Sequence, residues 1–290
     1  MENVNKRPSL ILDCGGWPVE FRFPRSTSGF REKIGKRYSF LLTGVSPQAV
    51  LEVSMTENKL NGQETDTIVL GTRSPAFEFS SPAYHLVYDI VKKQGQVVFK
   101  PSRPGTELSL LNTVLEVFIG VKHVLSGTGI LIHAAAVKSE QSGWIFPGRS
   151  GAGKTTLAKS FHDEALVNDE TVLIRLNDNG GVSAWNVPLM VPLRGKVKTF
   201  DLAGIVFLER HESPLPGEAQ AQALSPARIA ARLIPHTLPP SMMFCHGSRD
   251  AWLEQVLTVC INLASSRPGF LLPWYSEFPA AARSFIEQMA

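Results

Sequence analysis

Gly148 to Thr155 read GRSGAGKT and satisfy G-x-x-x-x-G-K-[ST] at every fixed position. Residues at this spacing hold a polyphosphate. The glycines let several backbone N–H groups converge on one concavity, and a helix starting at its edge adds the positive end of its dipole. The flanks suit the loop: an apolar run ending at Phe146 predicts a strand, and the segment from Lys154 predicts a helix. Gly148, Arg149, Ser150, Gly151, Ala152, Gly153, Lys154, Thr155 and Thr156 are then the nucleotide-binding set. Lys154 is expected to reach the β- and γ-phosphates of ATP, and the Thr155 hydroxyl to ligate Mg2+. Arg149 and Thr156 hold non-fixed positions, and Arg149 at the rim either touches phosphate or faces solvent.

A metal on such a loop needs an acidic partner, and ALVNDE supplies one. Asp169 follows Lys154 by only 15 residues, room for one short helix, a turn and a strand. That spacing counts against GTPases and motor ATPases that place the acid after further elements. Adjacent acids on an extended segment face opposite ways. One of Asp169 and Glu170 can therefore hold the metal while the other serves as a base; a solvated acidic pair is the plain alternative. His133, in LIHAAAV one strand upstream, reads either as a hydrogen-bonded core histidine or as a site residue. The three alanines after it allow something to pack closely.

These residues need elements to position them. Residues 1–104 form an expected strand-rich unit, with SLILDCG, YSFLLTG, AVLEVSM, TIVLGT and QVVFK as pieces of a small antiparallel sheet. His85 and Tyr84 read there as packing or surface groups. Residues 105–290 form the second expected domain. Leu110, Leu111, Val114, Leu115 and Phe118 recur at helical spacing, with His123 as a surface or half-buried bystander. Then come strands GILIHAAAV and WIFPG, the loop with its helix, and strands EALVNDE and TVLIRL. Asn179-Gly180-Gly181 marks a hairpin into VSAWNV, and GIVFLER follows. Residues 212–226 read as a polar, Pro-rich surface loop. The tail reads as helices over SPARIAARLI, RDAWLEQVLTVCINLASS and PAAARSFIEQM, with Trp274, Tyr275 and Phe278 as packing groups.

Taken together, GILIHAAAV, WIFPGRSGAGKTTLA and ALVNDETVLI resemble the C-terminal domain of HPr kinase/phosphorylase. The resemblance is closer still to the HPr-kinase-related serine kinases of peptide-modification clusters. It covers residues 105–176 best. It implies an α/β P-loop kinase domain of the HPr kinase and phosphoenolpyruvate carboxykinase type; the smaller strand-rich domain that precedes it is read from the residue pattern alone. It also implies transfer of the ATP γ-phosphate to a serine hydroxyl of a peptide or small protein. In that frame Asp169, His133 and Lys154 are catalytic: Asp169 as general base, His133 near the γ-phosphate. Thr155 and Glu170, with Asp169 beside them, hold Mg2+. The family's second signature is expected near 185–200, yet WNVPLMVPLRGKVKTF contains no acid. With only RPGF echoing the substrate-gripping loop, this argues against HPr as the acceptor and against a phosphorylase activity. Arg194, Lys196 and Lys198 suit a peptide, a metabolite or a solvated edge. A small-molecule kinase and a non-catalytic nucleotide-binding module therefore remain alternatives.

Bulk properties bound the setting. The chain of 290 residues is 43% apolar and 19% charged, with net charge +3 spread without blocks; this gives no reason to expect nucleic acid. Cys14, Cys245 and Cys260 share no metal-ligand spacing and read as reduced thiols. No signal segment is read at the N-terminus, and the longest apolar run, 114–125, reads as too short for a membrane span. The expectation is a cytoplasmic protein with no membrane partner, and the resemblance allows a homo-oligomer.

Overall fold

The computed structural model describes residues 8–56, 60, 65–71, 76–101, 103, 105–139, 142–154, 156–157, 166–168, 170–189, 197–211, 221–274, 284–285 and 288. Two compact units emerge. One comprises Met1–Lys122, Pro188–Met190 and Ser241–Trp252; the other comprises His123–Val187, Val191–Pro240 and Leu253–Ala290. Both are mixed α/β, with extensive sheets and few helices.

Among the described residues the first unit is built on seven strands: β1 (Ser9–Asp13), β2 (Pro18–Arg22), β3 (Ala49–Met55), β4 (Thr67–Leu70), β5 (Ala76–Ser80), β6 (Tyr84–Asp89) and β7 (Gln94–Phe99). Their order is β1-β2-β3-β7-β6-β5-β4. The expected antiparallel sheet is in fact mixed, because β3 runs parallel to both neighbours. A parallel neighbour needs a long crossover, and the β2–β3 connection supplies one with helix α1 (Ser28–Arg37). YSFLLTG, expected as a strand, lies in that connection as a 3-10 turn over Ser39–Leu41 and an isolated bridge from Leu42 to Leu12. Tyr84 is buried in β6.

Helix α2 (Glu107–Leu125) carries the predicted apolar stripe, with Leu111, Leu115 and Phe118 buried. Phe118 stacks on Trp17 at 5.1 Å and meets the Tyr88 ring edge-on at 4.8 Å. The apolar helix is longer than the run read from the sequence, and by length and composition it could cross a membrane. Its burial against Trp17 and Tyr88 instead gives it the place of a core helix. Ser241–Trp252 returns to this unit, where Cys245 N–H donates to Ile68 O at 3.0 Å and covers the open edge of β4.

Among the described residues the second unit holds nine strands: β8 (Gly129–Ser139), β9 (Ser142–Pro147), β10 (Leu166–Asn168), β11 (Thr171–Leu176), β12 (Val182–Trp185), β13 (Thr199–Arg210), β14 (Gln222–Leu224), β15 (Thr237–Leu238) and β16 (Gly269–Trp274). β9, β13 and β16 are parallel, and the remaining pairings are antiparallel. The Asn177–Gly181 turn joins β11 to β12 as expected, with Gly180 at φ 78°. Helices α3 (Pro226–Leu233) and α4 (His246–Ser266) fall on two of the three helical segments expected in the tail, and most of the third, PAAARSFIEQM, lies outside the described residues. Two expectations change. Residues 222–224 of the Pro-rich stretch form β14, and GFLLPW, in a tail read mainly as helices, is β16, a core strand. Buried apolar side chains such as Leu271 and Leu272 explain this: a parallel strand covered on both faces shows no alternation to read. His123 is fully buried rather than a bystander, its Nδ1 2.9 Å from Thr128 Oγ1.

The core of this unit joins Ala135, Trp144, Phe146, Leu157, Val206 and Leu272. Leu157 belongs to the first helical turn after the glycine-rich loop, so this contact ties that loop to the sheet. Leu157→Ala should lower the unfolding free energy of the unit by about 2–5 kcal/mol, read as a fall in the urea midpoint. A midpoint equal to that of the parent would show that Leu157 does not anchor the turn.

Candidate active site

The glycine-rich loop leaves the sheet at the C-terminal end of β9, beside the ends of the parallel strands β13 and β16. Arg210, the last residue of β13, donates from Nη1 to Gly151 O at 3.3 Å. Gly151 and Gly153 sit at φ 82° and 93°, a region that side-chain-bearing residues enter at a cost. Gly148 answers a different need, since a Cβ there would lie 3.0 Å from Ala152 Cβ. Ala152 N–H closes a turn on Arg149 O at 3.1 Å, and Leu157 N–H begins the helix on Gly153 O at 2.9 Å. Arg149 is exposed at the rim and Thr156 at the helix start.

Lys154 is 5% exposed. Its Nζ donates to Gly148 O at 2.7 Å and to Arg149 O at 2.9 Å. A buried ammonium is tolerated only when its donors are satisfied, and here the loop's own carbonyls do this.

Across β8 from the loop lies the acidic turn. β8 carries two partners in tandem along each edge. β11 and then β10 line one edge, while β15 and then β9 line the other. The change of partner falls at His133 and Ala134 on both sides. His133 O accepts from Gly148 N–H at 3.2 Å, and Ala134 N–H donates to Glu170 O at 3.1 Å. One residue of β8 thus meets the start of the loop, and the next meets the acidic turn.

His133 Nε2 lies 3.2 Å from Glu170 Oε1. Asn168, buried just before the turn, shapes it: its Oδ1 accepts from the N–H groups of Glu170 and Thr171 at 2.8 and 3.1 Å, and its Nδ2 donates to Asn186 Oδ1 at 3.0 Å. The sequence reading used Asn168 only as part of a strand. The Asn-Asp-Glu order was the available signal, because asparagine commonly accepts from the backbone two residues on.

His236 is the residue the sequence reading missed. It ends a 3-10 turn, Ile234–His236, directly before β15. Thr237 pairs with Ile132, so the 3-10 turn that ends at His236 leads directly onto β8 beside His133, and the two imidazoles influence each other electrostatically. Burial pushes the pKa of His236 down to about 4, helped by the charges of His133, Lys154 and Arg149. His133 is lowered for the same first reason, burial, and then by Lys154, with Glu170 pulling the other way. Both imidazoles are neutral near pH 7. No motif marks His236, and only the pairing of a two-residue strand brings it here.

Gly148 to Lys154, His133 and Glu170 are thus brought together. Thr155, Asp169, Arg194, Lys196, Tyr275 and Phe278 lie outside the described residues, as does the side chain of Trp274; Lys198 is exposed. Among the described residues no three His, Cys, Asp or Glu side chains form a metal-binding group.

No family model and no curated protein matches the chain. Among solved structures, the HPr(Ser) kinase/phosphatase from Coxiella burnetii aligns at 11% identity with a TM-score of 0.29, covering 55% of this chain and 97% of that one. A likeness of this size is too slight to carry fold or function, and the site stands on its own geometry.

The neutral histidines give a pH signature. A histidine with a folded pKa below its unfolded value of 6.5 contributes stability that is present above pH 6.5 and is lost as pH falls toward the folded value. Unfolding midpoints in urea should therefore decline between pH 6.5 and about 4, and His236→Gln should flatten that decline. An identical slope in the variant would show that His236 titrates normally in the folded chain.

Proposed function

We propose that this chain is an ATP- and Mg2+-dependent kinase that transfers the γ-phosphate to a serine hydroxyl of a peptide or small protein. One observation carries the reading: a glycine-shaped loop with a buried lysine at its base stands one strand away from a histidine–carboxylate pair. The family resemblance in the sequence supplies the acceptor class.

The residues fit a triphosphate. Loop N–H groups and the following helix start favour an anion, and Lys154, Arg149 and His236 are charged or chargeable groups that influence one another there. They also fit a magnesium ion in part. Glu170 is exposed and contacts His133 through Oε1, and a carboxylate has a second oxygen to offer. Thr155 and Glu170, with Asp169 adjacent, are the residues that would hold the ion. When bound, Mg2+ supplies charge neutralisation on the phosphate oxygens.

The chain's own groups do the rest. The loop fixes the phosphate chain, and Lys154 balances its charge. His133 is oriented by Glu170: with its proton on Nε2 it donates to that carboxylate and keeps Nδ1 as an acceptor. Asp169 takes the serine proton as the serine oxygen bonds to the γ-phosphorus and the bond to the ADP oxygen breaks. Positioning and electrostatics dominate such transfers, since little covalent help is needed.

Lys154→Ala should weaken ATP binding in calorimetry. Asp169→Asn should keep that binding yet lose about 10²–10⁴-fold in turnover, followed with labelled ATP and a peptide acceptor. Parent-like turnover by Asp169→Asn would remove Asp169 as the base. Intact ATP retained by the parent through a long incubation would make the site a binding module instead of an enzyme.

A further inference from the structure

We propose that His236 is a further contact of the transferred phosphoryl group, delivered to the site by the two-residue strand β15. The inference rests on the nucleotide-binding reading above and adds a residue that no motif carries.

The backbone sets the geometry. Along one edge of β8, β9 pairs as far as Pro147 opposite Ala134, and β15 takes over with Thr237 opposite Ile132. Position 133 lies between them. There the first residue of the loop, Gly148, donates to His133 O, and the 3-10 turn that ends at His236 runs directly into the Thr237–Ile132 pair. The loop therefore leaves the sheet next to the place where the chain following His236 enters it.

The surroundings of His236 come from two further elements. His133 stands on β8, and Lys154 and Arg149 stand on the loop. Glu170, the carboxylate of this cluster, is engaged with His133. An imidazole that is partly buried and feels the charges of Lys154 and Arg149 stays neutral, with one N–H to give. An anion arriving among these groups reverses the balance, because its charge favours donation from the imidazole and even protonation. Lys154 also locates the anion along the phosphate chain. The lysine of such a loop reaches the β- and γ-phosphates, so a group sharing the electrostatic surroundings of Lys154 and His133 is directed toward the terminal phosphate rather than the base.

The reading separates from a purely structural role by which nucleotide is affected. Binding of ADP with Mg2+ and of a non-hydrolysable ATP analogue with Mg2+ is measured by calorimetry for the parent, His236→Ala and His236→Asn. Losing one hydrogen bond to a charged oxygen should weaken the ATP analogue about tenfold and leave ADP within about twofold. Should the alanine variant fail to fold, the asparagine variant decides, since it keeps a polar side chain too short to reach. Equal weakening of both nucleotides, or of neither, overturns the proposal while leaving the nucleotide site intact. A parent that binds neither nucleotide overturns the underlying reading as well.

Discussion

The exchange of partners along β8 is the constraint on which the site depends. A strand of eleven residues, Gly129–Ser139, is longer than any one of its partners, so its edges are filled in tandem. Wherever two short strands meet end to end along a longer one, a backbone rung passes from one to the other and the chain can leave the sheet. Here both exchanges fall at His133 and Ala134. The glycine-rich loop departs on one side and the acidic turn enters on the other. The buried Ala134, Ala135 and Ala136 keep the next stretch of β8 slim. Leu157, from the helix after the loop, joins Ala135 in the same core cluster.

Charge gives this arrangement its chemical sense. Arg149, Lys154, His133 and His236 share one electrostatic neighbourhood, with Glu170 as the opposing carboxylate. The protein keeps this tolerable in two ways. Lys154 is satisfied by the carbonyls of Gly148 and Arg149, and burial holds the two imidazoles neutral. Such a cluster is poised for an anion because an incoming negative charge improves every one of these interactions except that of Glu170. A divalent cation shared with Glu170 would relieve that exception.

Local signals in the sequence spoke clearly where the chemistry is local. The strand, loop and helix start around Gly148 to Lys154 follow from the spacing of glycines and from an apolar run, and the Asn177–Gly181 turn follows from its glycines. Long-range pairing was not legible in the same way. The parallel placement of β3 depends on a crossover through α1, and β16 is a core strand whose apolar residues show no alternation. The return of Ser241–Trp252 to the first unit left no mark in composition. His236 illustrates the limit most sharply. A histidine after a proline in a short turn carries no motif, and its position is set wholly by two rungs of a ladder with Ile132 and Leu131.

The short separation between Lys154 and the acidic turn now has a physical reason. β9 and β11 flank the same strand, β8, on opposite edges. Neighbouring strands lie roughly 4.8 Å apart, so the end of β9 and the start of β11 are separated by about 10 Å across β8. His133, the residue of β8 between them, contacts the acid through Nε2 and the loop through its carbonyl. It therefore fixes the distance between the two halves of the site, and this role needs no proton transfer by the histidine itself.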